Sequence, residues 1–174
     1  MSNRQSRSDK RSNATSLPVA ATTIIIAACL FFLLRDASTA LAQQAAKCEV
    51  KITTPQPGDR VGKEGRVRGT ATIPTGTYLW VLAHMKDLVA EWWPQGGRPA
   101  VIKNGEWVII TAYGRADDIK QQFEVAAVVV DANTNTRLLD WFKTVREKDY
   151  PPIEFPDSVE GCVPIKITVT KTSH

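Results

Sequence analysis

From Cys48 onward, apolar and polar residues alternate in short runs divided by Gly, Pro, Asn and Asp, which is the two-residue period of half-buried strands. Residues 48–54 put Val50 and Ile52 on one face and Glu49 and Lys51 on the other, and the Pro55 to Asp59 stretch ends the run. Residues 65–73 repeat the pattern, with Val67, Ala71 and Ile73 inward and Gly69 small enough for close packing, before Pro74-Thr75-Gly76 turns the chain. Residues 78–85 are apolar on both faces. They predict a central strand, covered on one side by an opposing sheet and partly on the other, with Trp80 as the core tryptophan.

Weaker strands are predicted over 88–93 and 100–103, and Asn104-Gly105 is a two-residue hairpin signal leading into a strand over 106–113. Residues 114–120 read as a polar loop. The strand over 122–132 carries Phe123, Val125, Ala127 and Val129 on one face and Ala126, Val128 and Val130 on the other, so it is the most buried of all. The last strand, 162–171, turns Val163, Ile165, Ile167 and Val169 inward. One segment departs from the period of two: Leu138, Leu139, Trp141, Phe142 and Val145 recur at helical spacing, which predicts a short amphipathic helix over 136–146. The prolines of 150–156 then require extended loop. About seven short strands at regular spacing predict an all-β fold, an antiparallel two-sheet sandwich of immunoglobulin or fibronectin III character with one short helix before the last strand.

The N-terminus reads differently. Arg4, Arg7, Lys10 and Arg11 precede an apolar run over 17–34, and Ala40 and Ala42 supply the small residues of a signal peptidase site. Residues 1–42 are therefore expected to be a signal peptide cleaved after Ala42. A retained inner-membrane anchor through residues 17–34 is the alternative, because a helix of that length reaches roughly 27 Å. A third possibility is lipidation at Cys29, in the run Ile26-Ala27-Ala28-Cys29. Each route places the domain outside the cytosol, periplasmic or secreted, or anchored facing the periplasm. Residues 43–47 form a linker, 48–171 the sandwich and 172–174 a tail.

Charge changes the picture little. The net charge of +4 comes mostly from the leader, which holds five of the 22 basic residues and two of the 18 acidic ones. No basic cluster beyond it is dense enough to follow a phosphate backbone, so nucleic acid is not an expected partner. Cysteine changes it more. Outside the leader stand Cys48 and Cys162 alone, and in an oxidising compartment such a pair reads as a disulfide tying the first strand to the last.

The succession Tyr78-Leu79-Trp80-Val81, Trp92-Trp93-Pro94-Gln95-Gly96-Gly97, Gly105-Glu106-Trp107 and Phe123 to Val130 resembles uncharacterised bacterial immunoglobulin-like domains of exported or multidomain proteins. The resemblance covers roughly residues 48–171. It implies a sandwich and no established catalytic site.

Trp92, Trp93 and Gln95 are the expected ligand-binding residues. Adjacent tryptophans on a strand point to opposite faces, so one packs inward while the other is offered to a sugar ring or a protein. His84 shares the parity of Trp80 and Leu82 and reads as a satisfied strand residue; the only other histidine is His174. Asp117-Asp118 lacks the spacing of a dedicated calcium loop, and no Gly-x-Ser-x-Gly elbow is present. No catalytic residue, metal or cofactor is therefore expected. The leading expectation is a non-enzymatic extracytoplasmic binding module for a protein or glycan of the cell envelope. Its rivals are a small hydrolase or lyase of envelope polymers and an architectural subunit of an envelope complex, docking through Leu139, Trp141 and Phe142.

Overall fold

A computed structural model describes residues 47–88 and 90–173. The expectations for residues 1–46, which concern cleavage, anchoring, lipidation and most of the linker, lie outside the described residues.

Eight strands form two sheets: β1 (Glu49–Thr54), β2 (Arg60–Val61), β3 (Glu64–Thr72), β4 (Tyr78–Met85), β5 (Trp93–Pro94), β6 (Glu106–Ala112), β7 (Gln122–Val130) and β8 (Ile165–Lys171). The first sheet has the order β1-β3-β6 and the second β2-β8-β7-β4-β5. All pairings are antiparallel except that of β2 with β8. The described residues thus form a mostly-β, two-sheet sandwich carrying one α-helix, α1 (Ala132–Thr144), which a short 3-10 segment, Val145–Lys148, continues.

Alternation dictates the layers. Val67, Ala71, Trp107, Ile109, Leu79, Val81, Phe123, Val125 and Val129 meet between the sheets, where each leaves water for apolar neighbours. The opposite parity of β4 and β7, Trp80, Leu82, Ala126, Val128 and Val130, faces away from the first sheet and would be exposed without a third layer. Leu138, Leu139 and Phe142 of α1, with Ile153 and Phe155 of the proline-rich segment, supply that layer. Trp80 is fully buried, as expected of the core tryptophan; it lies beneath the helix, stacked on Phe142 at 5.9 Å, while Trp107 fills the space between the sheets.

The helix begins four residues before the expected start, because the side chain of Asp131 accepts the Thr134 N–H at 2.7 Å and caps it. The hairpin at Asn104-Gly105 forms as expected, both residues lying at positive φ. Three predicted strands shrink. Over 88–93 and 100–103 strand pairing is confined to the short β5, the Trp92 bridge to Ile153 and the Lys103 bridge to Glu106, with one further bond from the Ala100 N–H to the Leu79 carbonyl; Pro94 has no N–H to extend a ladder. The last strand starts at Ile165, and Val163 is 78% exposed instead of inward: Pro164 and the bond at Cys162 keep the chain out of the ladder there.

The expected disulfide is present. Cys48 and Cys162 are bonded across 114 residues, with Cα atoms 5.2 Å apart, tying the start of β1 in one sheet to the loop entering β8 of the other. Among the described residues no helix is long and apolar enough to cross a membrane.

Candidate functional site

The two neighbouring tryptophans separate as strand geometry requires. Trp92 is buried in the outer layer, where its ring stacks on His84 at 3.9 Å and meets the edge of Phe155 at 4.7 Å. Lys166 Nζ sits 4.7 Å from the centre of the Trp92 ring and 4.5 Å from that of Phe155, a cation over two π faces. His84 has an oxygen acceptor beside each ring nitrogen, Nδ1 lying 3.1 Å from the Leu88 carbonyl and Nε2 3.2 Å from Glu124 Oε2, and the single N–H of a neutral ring donates to one of the two. Trp92 and His84 thus form one packed, polar-tipped cluster.

Trp93 goes the other way. It is half-buried, and its indole N–H donates to the Tyr150 carbonyl at 2.8 Å, which fixes the ring in place without covering it. Gln95 is buried, and its amide is engaged at both ends: Nε2 donates to the Trp93 carbonyl at 2.9 Å, and Oε1 accepts the Ala112 N–H of β6 at 2.9 Å. The side chain therefore joins the edges of the two sheets and holds β5 beside β6.

Trp93 lines a groove of about 860 Å³ on this side of the sandwich. Its walls come from parts of the chain far apart in sequence: Gln95 and Gly96 after β5, Ile110 and Ala112 of β6, Trp141 and Phe142 of α1, and Asp149 and Tyr150 after the 3-10 segment. The helix brings Trp141 here with its N–H held by the Pro151 carbonyl at 3.0 Å. Asp149 and Tyr150 both adopt φ of 53°, a left-handed conformation that is unusual for a tyrosine and turns its half-exposed ring to the groove. Glu64, Glu91, Asp118 and Asp149 add carboxylates against the single guanidinium of Arg115. Asp118 is partly committed, since its Oδ2 accepts the Arg115 N–H at 2.6 Å.

The 114–118 loop that closes one end is anchored from beneath. Lys171 at the end of β8 is fully buried and donates its ammonium to the Arg115 carbonyl. Asp117 and Asp118 do not gather further acids: among the described residues no group of three or more His, Cys, Asp or Glu is placed to hold a metal ion.

Of the expected contact residues, then, the groove takes Trp93 as a ring surface and Gln95 as part of its frame, whereas Trp92 lies in the core. Tyr150, Asp149 and Glu91 had no distinguishing signal in the sequence. Trp141 and Phe142 were legible as an apolar helix face, but not as neighbours of Trp93. No protein family, curated protein or solved structure matches this chain.

Proposed function

We propose that this chain is a non-enzymatic, extracytoplasmic recognition module with an immunoglobulin-like sandwich, and that the Trp93 groove is its binding surface for a protein or glycan of the cell envelope. The observation that carries the reading is the Trp93 ring, held by its N–H from behind and open toward a concavity shared with Tyr150 and Trp141. Fixed aromatic faces bury large area on contact at little cost in side-chain freedom, the character of interface anchors. Tyr150 in its left-handed backbone agrees with this, because strain of that kind is retained where it positions a working side chain.

The disulfide fits an oxidising compartment. The immunoglobulin-like assignment draws on connectivity: the chain leaves the first sheet after β1 and joins the second through β2, parallel to the last strand. It departs from antibody domains in two respects, since the disulfide joins the ends of the sandwich rather than its centre, and Trp80 faces outward to a helix.

Replacing Trp93 with Ala is the test. Binding to isolated envelope material should fall at least tenfold while Tm stays within a few degrees; unchanged binding removes the groove from the account. A second reading, an envelope-polymer hydrolase, draws on the carboxylates of Glu64, Glu91 and Asp149 in the same groove. It requires turnover of such a polymer by the pure protein, lost when Glu91 or Asp149 becomes the amide.

A further inference from the structure

The four sheet edges are not equivalent. A free edge presents unpaired N–H and C=O groups that invite another strand, and proteins blunt such edges with charges, prolines, irregularities or shortness. β1 carries Glu49 and Lys51 and shifts register between Ile52 and Thr54. β2 has two residues, and β5 has two, one of them proline. β6 is the least protected: its one charge, Glu106, stands at the hairpin end, and its seven residues, Glu-Trp-Val-Ile-Ile-Thr-Ala, pair with β3 in unbroken register and contain neither lysine nor proline.

Hydrogen-bond parity shows what that edge offers. In an antiparallel ladder the N–H and C=O of one residue point to the same side, and the side alternates along the strand. The Ala112 N–H is turned to Gln95 and the Tyr113 N–H to the Lys63 carbonyl. Val108 and Ile110 share the parity of Ala112, so their backbone groups point away from β3, and among the described residues they meet no partner. Their side chains are 46% and 60% exposed on the outer face. Glu106 is closed off by its hairpin bonds to Lys103, and Ala112 by Gln95, which leaves a window of two residues opening beside the groove.

The geometry points to an extended polypeptide strand, apolar at one parity and Lys or Arg at the other, as the occupant of this groove, hydrogen-bonded to the free edge of β6. This rests on the binding reading above and deepens it. A strand added at β6 sends alternate side chains to opposite faces. One set lies beside Val108 and Ile110, whose cross-strand neighbours Arg68 and Arg66 disfavour a further cation there. The other set enters the groove, where Glu91 and Asp149 and the rings of Trp93 and Tyr150 suit a cationic side chain by charge and by cation–π contact. Val108 and Ile110, the latter on the rim of the groove, thus choose apolar residues at one parity, and Glu91, Asp149, Trp93 and Tyr150 choose cations at the other.

The probe is a capped peptide of alternating Val and Lys as long as β6, titrated calorimetrically into the oxidised protein and followed by amide hydrogen exchange. Val108 and Ile110 amides should gain protection, and exchange of Lys for Glu should abolish binding. N-methylation of alternate residues, which keeps the side chains but blocks the ladder, should weaken binding at least about tenfold. Ile110→Pro, which deletes an outward-facing N–H while leaving the bonds to β3 intact, should do the same, and Ile110→Ala, which shortens the side chain but keeps the N–H, should weaken binding less. Equal binding of the N-methylated peptide overturns the strand pairing; if that binding still depends on Trp93, the recognition module survives without it. Preference for a chito-oligosaccharide, or concentration-dependent pairing of two copies through β6, overturns the peptide assignment. Absence of binding in every arm, with no effect of Trp93→Ala, removes both.

Discussion

The indole N–H of Trp80 in β4 donates to Oδ1 of Asn135, near the start of α1, at 3.0 Å, across 55 residues of sequence. Both side chains are buried, so this bond fixes how the helix sits on the outer face of the five-stranded sheet. That sheet face also carries Trp92, Ile153 and Phe155, and the helix it seats supplies Trp141 and Phe142 to the groove.

Asn135→Ala should therefore cost about 2 kcal/mol, the penalty of leaving a buried N–H unsatisfied. The double variant Asn135→Leu with Trp80→Phe should recover much of that loss, since an apolar pair demands no hydrogen bond. Chemical denaturation of the three proteins checks this. A double variant no more stable than Asn135→Ala would mean that the bond contributes nothing and that only volume matters.

Gly69 faces Trp107 and the Lys51 carbonyl so closely that an added methyl group collides with both. The backbone of β1 and the largest inter-sheet ring would have to move together. Gly69→Ala should cost about 3 kcal/mol, at the upper end for overpacking, or prevent folding. A thermal melt within a degree or two of the parent's would show that β1 is free to shift.

The central layer was legible in the sequence and the groove was not, for a physical reason. Apolarity on both faces of residues 78–85 and 122–130 marks a strand covered twice, and the Asn-Gly pair fixes its hairpin, because these are signals between near neighbours. Parity says that Trp80 and Leu79 oppose each other but not which of them meets a sheet and which a helix; that choice is made by distant residues. The helix start was hidden because Ala132-Asn133-Thr134-Asn135 has the composition of a turn, and only Asp131 as cap tips it toward helix. Trp93 and Tyr150 are joined by a single bond across 57 residues, which no local pattern encodes.

The Cys48–Cys162 bond closes a loop of 114 residues, and the loss of that loop's freedom from the unfolded chain is worth about 4 to 5 kcal/mol at most. Because it ties the ends and touches none of the groove residues, its removal should lower stability far more than binding. Cys48→Ser with Cys162→Ser should lower Tm by about 10 °C or more. Binding measured well below the new Tm should stay within a factor of two. The intact protein should gain the mass of two hydrogens on reduction.

Tyr113 provides a pH test of the inter-sheet core. It is fully buried against Phe123, its ring centre 6.0 Å away, and its hydroxyl meets no hydrogen-bond partner among the described residues. Burial disfavours the phenolate and pushes the group up from 10 to about 12 in the folded protein. The unfolded chain therefore releases this proton first. The stability that depends on the neutral hydroxyl is complete below pH 10 and drains away as pH rises toward 12. The loss over that window is about 2 kcal/mol. Tyr113→Phe should match or slightly exceed the parent at neutral pH, because it removes an unpaired polar atom, and should lose less stability between pH 10 and 12. Urea unfolding of both proteins across that range decides it: curves that fall in parallel would mean that the hydroxyl is solvated, and that the inter-sheet core is open to water at the edge where β6 ends.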